Sequence, residues 1–302
     1  MGAQVSLRTL AVGLWRMSRP LPLLSAILAW LLGISIAFGT IKTLEMTSLV
    51  WGLAAMLLVS LSIHYANEFA DHVTDSLTTR TIYSGGSGVI TEGIVPRKIA
   101  IQAALTTLTA GFLVQTVAIL TGHHPWSAMA ILVIGAAGGW MYSMPPLRLA
   151  WRGLGEATNA LLGGMMLPLH ACTTLMGCLD LRVPLACLPF TLLCFNNLLA
   201  VTWPDRKADA QAGKMTLATR WRLGSLRRLH NIVGVISFVA LLLLVGTIIP
   251  ITVVVMSLAA LPLMVWGGLA YTRREIATGT IYAMAVMMLA QSAAWLMVGL
   301  GV

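Results

Sequence analysis

Nine apolar runs, each long enough to cross a bilayer, set the terms for this chain. They lie at 20–40, 46–66, 98–121, 125–143, 154–176, 183–203, 229–249, 250–271 and 277–301. A crossing helix needs about 20 apolar residues, and inside hydrocarbon its backbone polar groups must be satisfied within the segment itself. The runs therefore predict an all-α, polytopic membrane protein, with residues 1–302 forming one domain of nine transmembrane helices around a central cavity. Only 10% of the residues are charged, where a soluble domain carries about 25%. The first run is long enough to span and eight more follow it, so it reads as a true span and not as a cleaved signal.

The net charge of +9 could suggest a nucleic-acid partner, but its distribution points elsewhere. With the N-terminus placed in the cytoplasm, seventeen of the nineteen Lys and Arg residues fall on the inner side, and only Lys42 and Arg182 fall outside. That is the positive-inside pattern. The basic balance reports topology and contact with anionic membrane lipid, not nucleic acid, and predicts a multi-pass protein of a prokaryotic cell membrane. Residues 1–19 mix Arg8, Arg16 and Arg19 with Leu7, Leu10, Val12, Leu14 and Trp15, which predicts an amphipathic helix on the inner surface.

The second run ends in Asn67-Glu68-Phe69-Ala70-Asp71-His72-Val73-Thr74-Asp75. Asn67, Asp71 and Asp75 stand at i, i+4 and i+8, so on a helix they share one face within about 80°. Two carboxylates at the mouth of a membrane helix repel each other and are costly to desolvate. They need a cation, and Mg²⁺ takes one or two carboxylates and completes its shell with water and substrate phosphate. The inner segment Ser76–Arg97 that follows carries Arg80 and the run Tyr83-Ser84-Gly85-Gly86-Ser87-Gly88, where backbone N–H groups can approach a phosphate.

A second acidic pair, Asp205 and Asp209, follows the sixth run, with Lys214 five residues further on. Asp71, Asp75 and Arg80 each map onto this group by the same offset of 134 residues. Both groups follow an even-numbered span, so both emerge on the same side. Repeats of this kind build central sites in membrane proteins, and the two groups are expected to be halves of one site. The catalytic and metal-holding set is thus Asp71, Asp75, Asp205 and Asp209, with Asn67 as a further metal ligand. Arg19, Arg80, Tyr142, Arg148 and Lys214 are the expected diphosphate-binding groups; Tyr142 and Arg148 flank Pro145-Pro146 at the inner end of the fourth run.

Mg²⁺ between the acidic pairs could clamp a diphosphate as it leaves, and an apolar cavity would suit a long prenyl tail. Departure leaves an allylic cation, which Tyr142, Trp140 or Trp203 could face and an electron-rich aromatic ring could attack. Elsewhere the polar residues read as structural. His170 reads as a satisfied buried histidine, Gln291 as interhelical packing, and Cys172, Cys178, Cys187 and Cys194 as small apolar residues without metal spacing.

These residues resemble the UbiA superfamily of intramembrane aromatic prenyltransferases. Its members have nine transmembrane helices, an N-x-x-x-D-x-x-x-D motif matched by Asn67, Asp71 and Asp75, and a D-x-x-x-D motif matched by Asp205 and Asp209, with Mg²⁺ between them. Three further stretches look most like the menaquinone-type branch: Gly85 through Gly88, Tyr142 through Arg148 with Arg152-Gly153-Leu154-Gly155-Glu156, and Gly213-Lys214 with Thr216-Leu217. The resemblance implies transfer of a polyprenyl group from its diphosphate to 1,4-dihydroxy-2-naphthoate. The chain departs from the pattern at Val201, where the second motif lacks an amide that Asn197 could supply one turn earlier, and at Glu68, where this branch often has Asp. Two alternatives stay open: the same chemistry on 4-hydroxybenzoate, homogentisate, a porphyrin or a lipid, and a secondary transporter, which would also have repeated halves.

Overall fold

The computed structural model describes residues 6–77, 80 and 85–302; Tyr83 and Ser84 of the glycine-rich run lie outside the described residues. The described residues are mainly helical. An interfacial helix, α1 (Leu7–Met17), precedes α2 (Pro20–Ile41), α3 (Met46–Leu77), α4 (Arg97–Leu120) and α5 (Trp126–Ser143). Two shorter helices, α6 (Gly155–Leu161) and α7 (Leu167–Met176), are followed by α8 (Arg182–Thr202), α9 (Arg206–Gln211), α10 (Leu217–Arg220), α11 (Leu223–Leu244), α12 (Ile251–Ser257), α13 (Leu261–Ala270) and α14 (Thr278–Leu300).

Among the described residues eight helical segments are long and apolar enough to cross a membrane. The predicted fifth run, 154–176, departs from the plain helix expected of it. It forms α6 and α7 joined by a π-helical stretch, Leu162–Met166, that contains Gly163-Gly164 just ahead of Pro168. Proline removes one helical donor and clashes with the preceding turn, and π-bulges absorb such irregularity. The seventh run is also displaced, since α11 begins at Leu223 and takes in Arg227 and Arg228.

The outward faces of the helices are apolar. On α11, Ile232, Val235, Ile236, Val239, Leu242 and Leu243 are all exposed, as suits contact with lipid. Between helices, small residues allow close approach. A Cβ on Gly33 of α2 would strike the backbone of Pro168, and one on Gly267 of α13 would lie 2.5 Å from the Thr280 nitrogen on α14.

At the far end from the acidic stretches, a directional hydrogen-bond chain ties α2, α3, α4 and α7 together. The Trp30 indole donates to His170 Nδ1 at 3.1 Å, so His170 carries its proton on Nε2, 3.3 Å from Gln115 Oε1. Gln115 Nε2 then meets His124 Nδ1 at 3.0 Å, and His124 Nε2 meets the Ser48 carbonyl at 2.9 Å. A satisfied buried network of this kind rigidifies a core, and His170 acts in it as a structural residue. Gln291 is buried, and neither of its amide atoms has a hydrogen-bond partner among the described residues.

Candidate active site

The first acidic stretch lies on the last three turns of α3, a single helix of 32 residues. That continuity puts Asn67, Asp71 and Asp75 on one face, as the spacing requires. Asp71 is buried, and its Oδ2 accepts from Ser143 Oγ at 2.7 Å. Its Oδ1 and the Asn67 Oδ1 are buried with no hydrogen-bond partner among the described residues. A buried oxygen without a donor is costly, so both atoms are suited to a cation.

Glu68 points off that face and does something the sequence reading missed. It is 3% exposed and accepts from Arg19 Nε at 2.8 Å, from the Ser87 N–H at 2.9 Å and from Ser87 Oγ at 2.5 Å. One carboxylate thus fastens both the glycine-rich loop and the start of α2 to α3. Arg19 is held at φ +52, in the left-handed region that costs a non-glycine residue about 1–2 kcal/mol. From there it also reaches Asp75, Nη2 to Oδ2 at 3.9 Å. Burial works against the Arg19 charge, but Glu68 and Asp75 outweigh it and hold its pKa above the ordinary value.

The loop rests directly on the acids. Gly86 and Gly88 have φ of +65 and +78, and a Cβ on them would strike the Asp75 carboxylate and the Arg80 guanidinium respectively. Arg80 does not turn toward Asp75. It donates to Glu92 Oε1 at 2.8 Å, while Arg16 donates to the Ser87 carbonyl at 3.0 Å and to Glu92 at 3.3 Å.

The second stretch is built on a broken helix. α8 ends at Thr202, Trp203-Pro204 make a turn, and Asp205 occupies the N-cap of the six-residue α9. Asp209 is 3% exposed, and Lys214 returns to it through its backbone N–H, 2.8 Å from the Asp209 carbonyl, and through Nζ, 3.4 Å from Oδ1. Burial pushes the Asp209 carboxyl above its ordinary range against the pull of Lys214. Burial alone would lower the Lys214 pKa, but Asp71 and Asp209, with Tyr142 and Asp75, outweigh it and leave it raised. One ammonium therefore sits in the field of both acidic stretches. Asn197 Oδ1, like Asn67 Oδ1, is buried without a partner among the described residues.

The segments that resemble the menaquinone-type branch also meet. The Met215 N–H donates to the Trp151 carbonyl at 3.1 Å, and the Leu217 N–H donates to Glu156 Oε1 at 3.3 Å. Tyr142, Glu156, Lys214 and Thr216 line one narrow cleft. Other expected members lie apart. Arg148 is exposed and stacks on Trp151 at 4.9 Å. Trp203 is buried, with Arg206 over one face at 3.9 Å and Tyr271 in a T-shaped contact at 6.2 Å. Trp140 donates to Ser62 at 2.9 Å.

The donor set fits Mg²⁺ in kind: amide and carboxylate oxygens, two of them without a donor. Among the described residues, no three His, Cys, Asp or Glu side chains already converge as a metal cluster, and Lys214 and Arg19 supply the local positive charge.

Comparison with known proteins follows the same lines. The model of the UbiA prenyltransferase family matches residues 21–289. A 1,4-dihydroxy-2-naphthoate octaprenyltransferase of Bacillus subtilis strain 168 is 23% identical over 205 residues, 68% of this chain and 64% of the relative, so the match spans less than two thirds of that protein. Among solved structures, a UbiA homologue from Archaeoglobus fulgidus bound to GPP and Mg²⁺ has a TM-score of 0.65 at 19% identity, covering 93% of this chain and 99% of its own. A digeranylgeranylglyceryl phosphate synthase structure has a TM-score of 0.64 at 13% identity, covering 94% and 99%. The structural likenesses establish the fold, and the family match runs through both acidic stretches: the chain belongs to the UbiA prenyltransferase family.

Proposed function

We propose that this integral membrane protein transfers a polyprenyl group from its diphosphate to an aromatic acceptor, and that the acceptor is 1,4-dihydroxy-2-naphthoate. One observation carries the reading: acidic stretches 134 residues apart in sequence come together, with α9 packed against α3 and the Lys214 ammonium 3.4 Å from Asp209. Asn67, Asp71 and Asp75 on one side and Asp205 and Asp209 on the other would hold Mg²⁺. When bound, Mg²⁺ would neutralise the diphosphate and so make it a better leaving group.

The chain's own residues do the remaining work. Lys214 and Arg19, already beside the acids, supply charged donors for phosphate oxygens. The glycine-rich loop, fixed by Glu68 through Ser87, covers Asp75 and limits the access of water that would capture the carbocation. Apolar helix faces take the prenyl tail. The concentration of Lys and Arg at this end of the bundle supports a site facing the cytoplasm, an N-terminus on that side and nine crossings, with the joined α6–α7 segment as the fifth. The branch assignment rests on the meeting of the 142–156 and 213–217 segments and on the Bacillus subtilis relative.

The test is a mass-spectrometric product assay on detergent-purified protein with geranylgeranyl diphosphate, 1,4-dihydroxy-2-naphthoate and competing aromatic and lipid acceptors, with and without Mg²⁺. A Mg²⁺-dependent prenylated naphthoquinol is the expected product. Product from a different acceptor would overturn the branch assignment and leave the chemistry. No product from any acceptor, with the protein folded, would overturn prenyl transfer itself.

A further inference from the structure

Glu156 is a further buried carboxylate, and it belongs to neither acidic stretch. It sits in the first turn of α6, 2% exposed. Its Oε1 accepts the Leu217 N–H at 3.3 Å, while its Oε2 is buried with no hydrogen-bond partner among the described residues. The cleft it lines is shared with Tyr142, Thr202, Lys214 and Thr216. Lys214, whose Nζ lies 3.4 Å from Asp209 Oδ1, lines the same cleft as Glu156. A carboxylate oxygen kept from water without a donor costs several kcal/mol. The cleft, about 10 Å³ in volume, has room for a single hydroxyl, so the arrangement is poised for a ligand that brings an O–H to that oxygen.

Resting on the prenyl-transfer reading above, we infer that Glu156 accepts a hydrogen bond from a ring hydroxyl of the aromatic acceptor and takes its proton as the ring is alkylated. The electrons balance as follows. The allylic C–O bond breaks and its pair leaves with the diphosphate. A ring π pair forms the new C–C bond, and the hydroxyl O–H pair moves into the ring as its proton passes to Glu156, giving a neutral dienone. The substituted carbon then loses CO₂, the pair of the broken C–C bond restores the ring's aromaticity, and Glu156 returns its proton to the ring oxygen. Draining charge through the hydroxyl makes the ring carbon a better nucleophile in the transition state, which is how a positioned base accelerates such a step. The role also selects a substrate class: hydroxylated aromatics, in preference to ring systems without an O–H.

Glu156 also steadies the loop that carries Lys214, through Leu217, so the test must separate chemistry from support. Glu156→Gln keeps the shape and the Leu217 bond but cannot take a proton. In the full-length protein with Mg²⁺, Glu156→Gln is expected to bind geranylgeranyl thiodiphosphate, an analogue with a slow leaving group, within about twofold of the parent. Single-turnover prenylation of 1,4-dihydroxy-2-naphthoate is expected to fall by about 10²–10³-fold. The loss should shrink as pH rises, because an acceptor already ionised in solution needs no base, and more acidic fluorinated naphthols should shrink it further. A loss that is the same at every pH and for every acceptor would overturn the assignment, as would near-parental activity. If Glu156→Gln binds the analogue poorly, Glu156→Asp decides: pH-independent turnover above that of Glu156→Gln supports the role, and equal loss in both variants overturns it. Absence of transfer by the parent protein to every hydroxylated aromatic would overturn the underlying reading together with this one, an outcome distinct from failure of the variant alone.

Discussion

The two acidic stretches have the same spacing but stand on different supports. Asp71 and Asp75 lie on an unbroken helix of 32 residues, while Asp205 and Asp209 lie across a turn and on a helix of only six. Their cations differ as well. Lys214 returns to its own Asp209, whereas Arg80, its counterpart by register, is paired with Glu92, and Arg19 from another element approaches Asp75 instead. Equal spacing thus preserved the acids and not their partners. A carboxylate pair can be repeated by sequence alone, but a cation on a long side chain goes to whichever acid its loop presents. Here the first loop presents Glu92.

The largest effect should come from what the halves share. If both hold one metal–diphosphate centre, Asp71→Asn and Asp209→Asn should each lower kcat by about 10³-fold, as expected when charge at a developing anion is removed, with thermal stability close to the parent. Near-parental turnover in either variant would show that the two stretches do not act together and would break the comparison at its root.

Next comes a contact that the second half lacks. Gly86→Ala would place a methyl group against the Asp75 carboxylate at φ +65. The left-handed backbone costs alanine about 1–2 kcal/mol, and the loop would have to lift from the acid. Turnover should fall about 10²-fold with Mg²⁺ affinity reduced. Gly213→Ala, also at positive φ (+78) but in open space, should show only the backbone cost. Equal losses would mean that the loop over Asp75 is no more closely fitted than the one before Lys214.

How much of this could be read in advance depends on range. Hydropathy located the helices because each membrane span must satisfy its own backbone, which is a local demand. The register of Asn67, Asp71 and Asp75 was legible for the same reason, since the face they share is fixed by the pitch of one helix. The break at 162–166 was not, although Gly163-Gly164 and Pro168 marked it, because apolar composition looks the same in a straight helix and a broken one. Least legible were pairings across sequence. Glu68 reads as a variant of a motif position, yet it anchors Arg19 and Ser87; its signal was an acid beside the motif that the metal face had no use for. Ser143 on Asp71 and Glu156 at Leu217 gave no sign short of the fold itself. Arg148 read as a site residue because it lies near Tyr142 in sequence, but the turn after α5 sends it outward onto Trp151.

The asymmetry of the cations predicts unequal costs. Lys214→Met removes a donor that faces both acidic stretches and should weaken diphosphate binding about 30-fold, in line with the 1.5–3 kcal/mol of a charged hydrogen bond. Arg80→Met should weaken it by about fivefold or less, since its guanidinium is already committed to Glu92. Isothermal titration with geranylgeranyl thiodiphosphate measures both. Equal losses would restore the symmetry that the register implied, with Arg80 leaving Glu92 for the substrate.

Glu92 offers the finest test, because it decides where Arg80 points. Its side chain is 45% exposed and bridges Arg80 and Arg16. The hydrogen bond from Arg80 is the main cause that holds its carboxyl below the ordinary value. A folded pKa below the unfolded one gives a contribution that is complete above the unfolded value, near 4.5, and fades as pH falls through the folded one. Glu275, paired with Arg206 beside the second stretch, is lowered in the same way, so acid should loosen both regions over the same window. They should part in function. Exposed ion pairs contribute little and are screened by salt, so Glu92→Gln should change diphosphate affinity less than about threefold. Its direction is the informative part. Freed from Glu92, Arg80 can swing toward Asp75 and the diphosphate, and affinity should rise, while Glu275→Gln, whose arginine lies over Trp203, should leave it unchanged. A fall in affinity for Glu92→Gln would mean that the bridge serves to hold the glycine-rich loop on Asp75, and that Arg80 contributes by staying where it is.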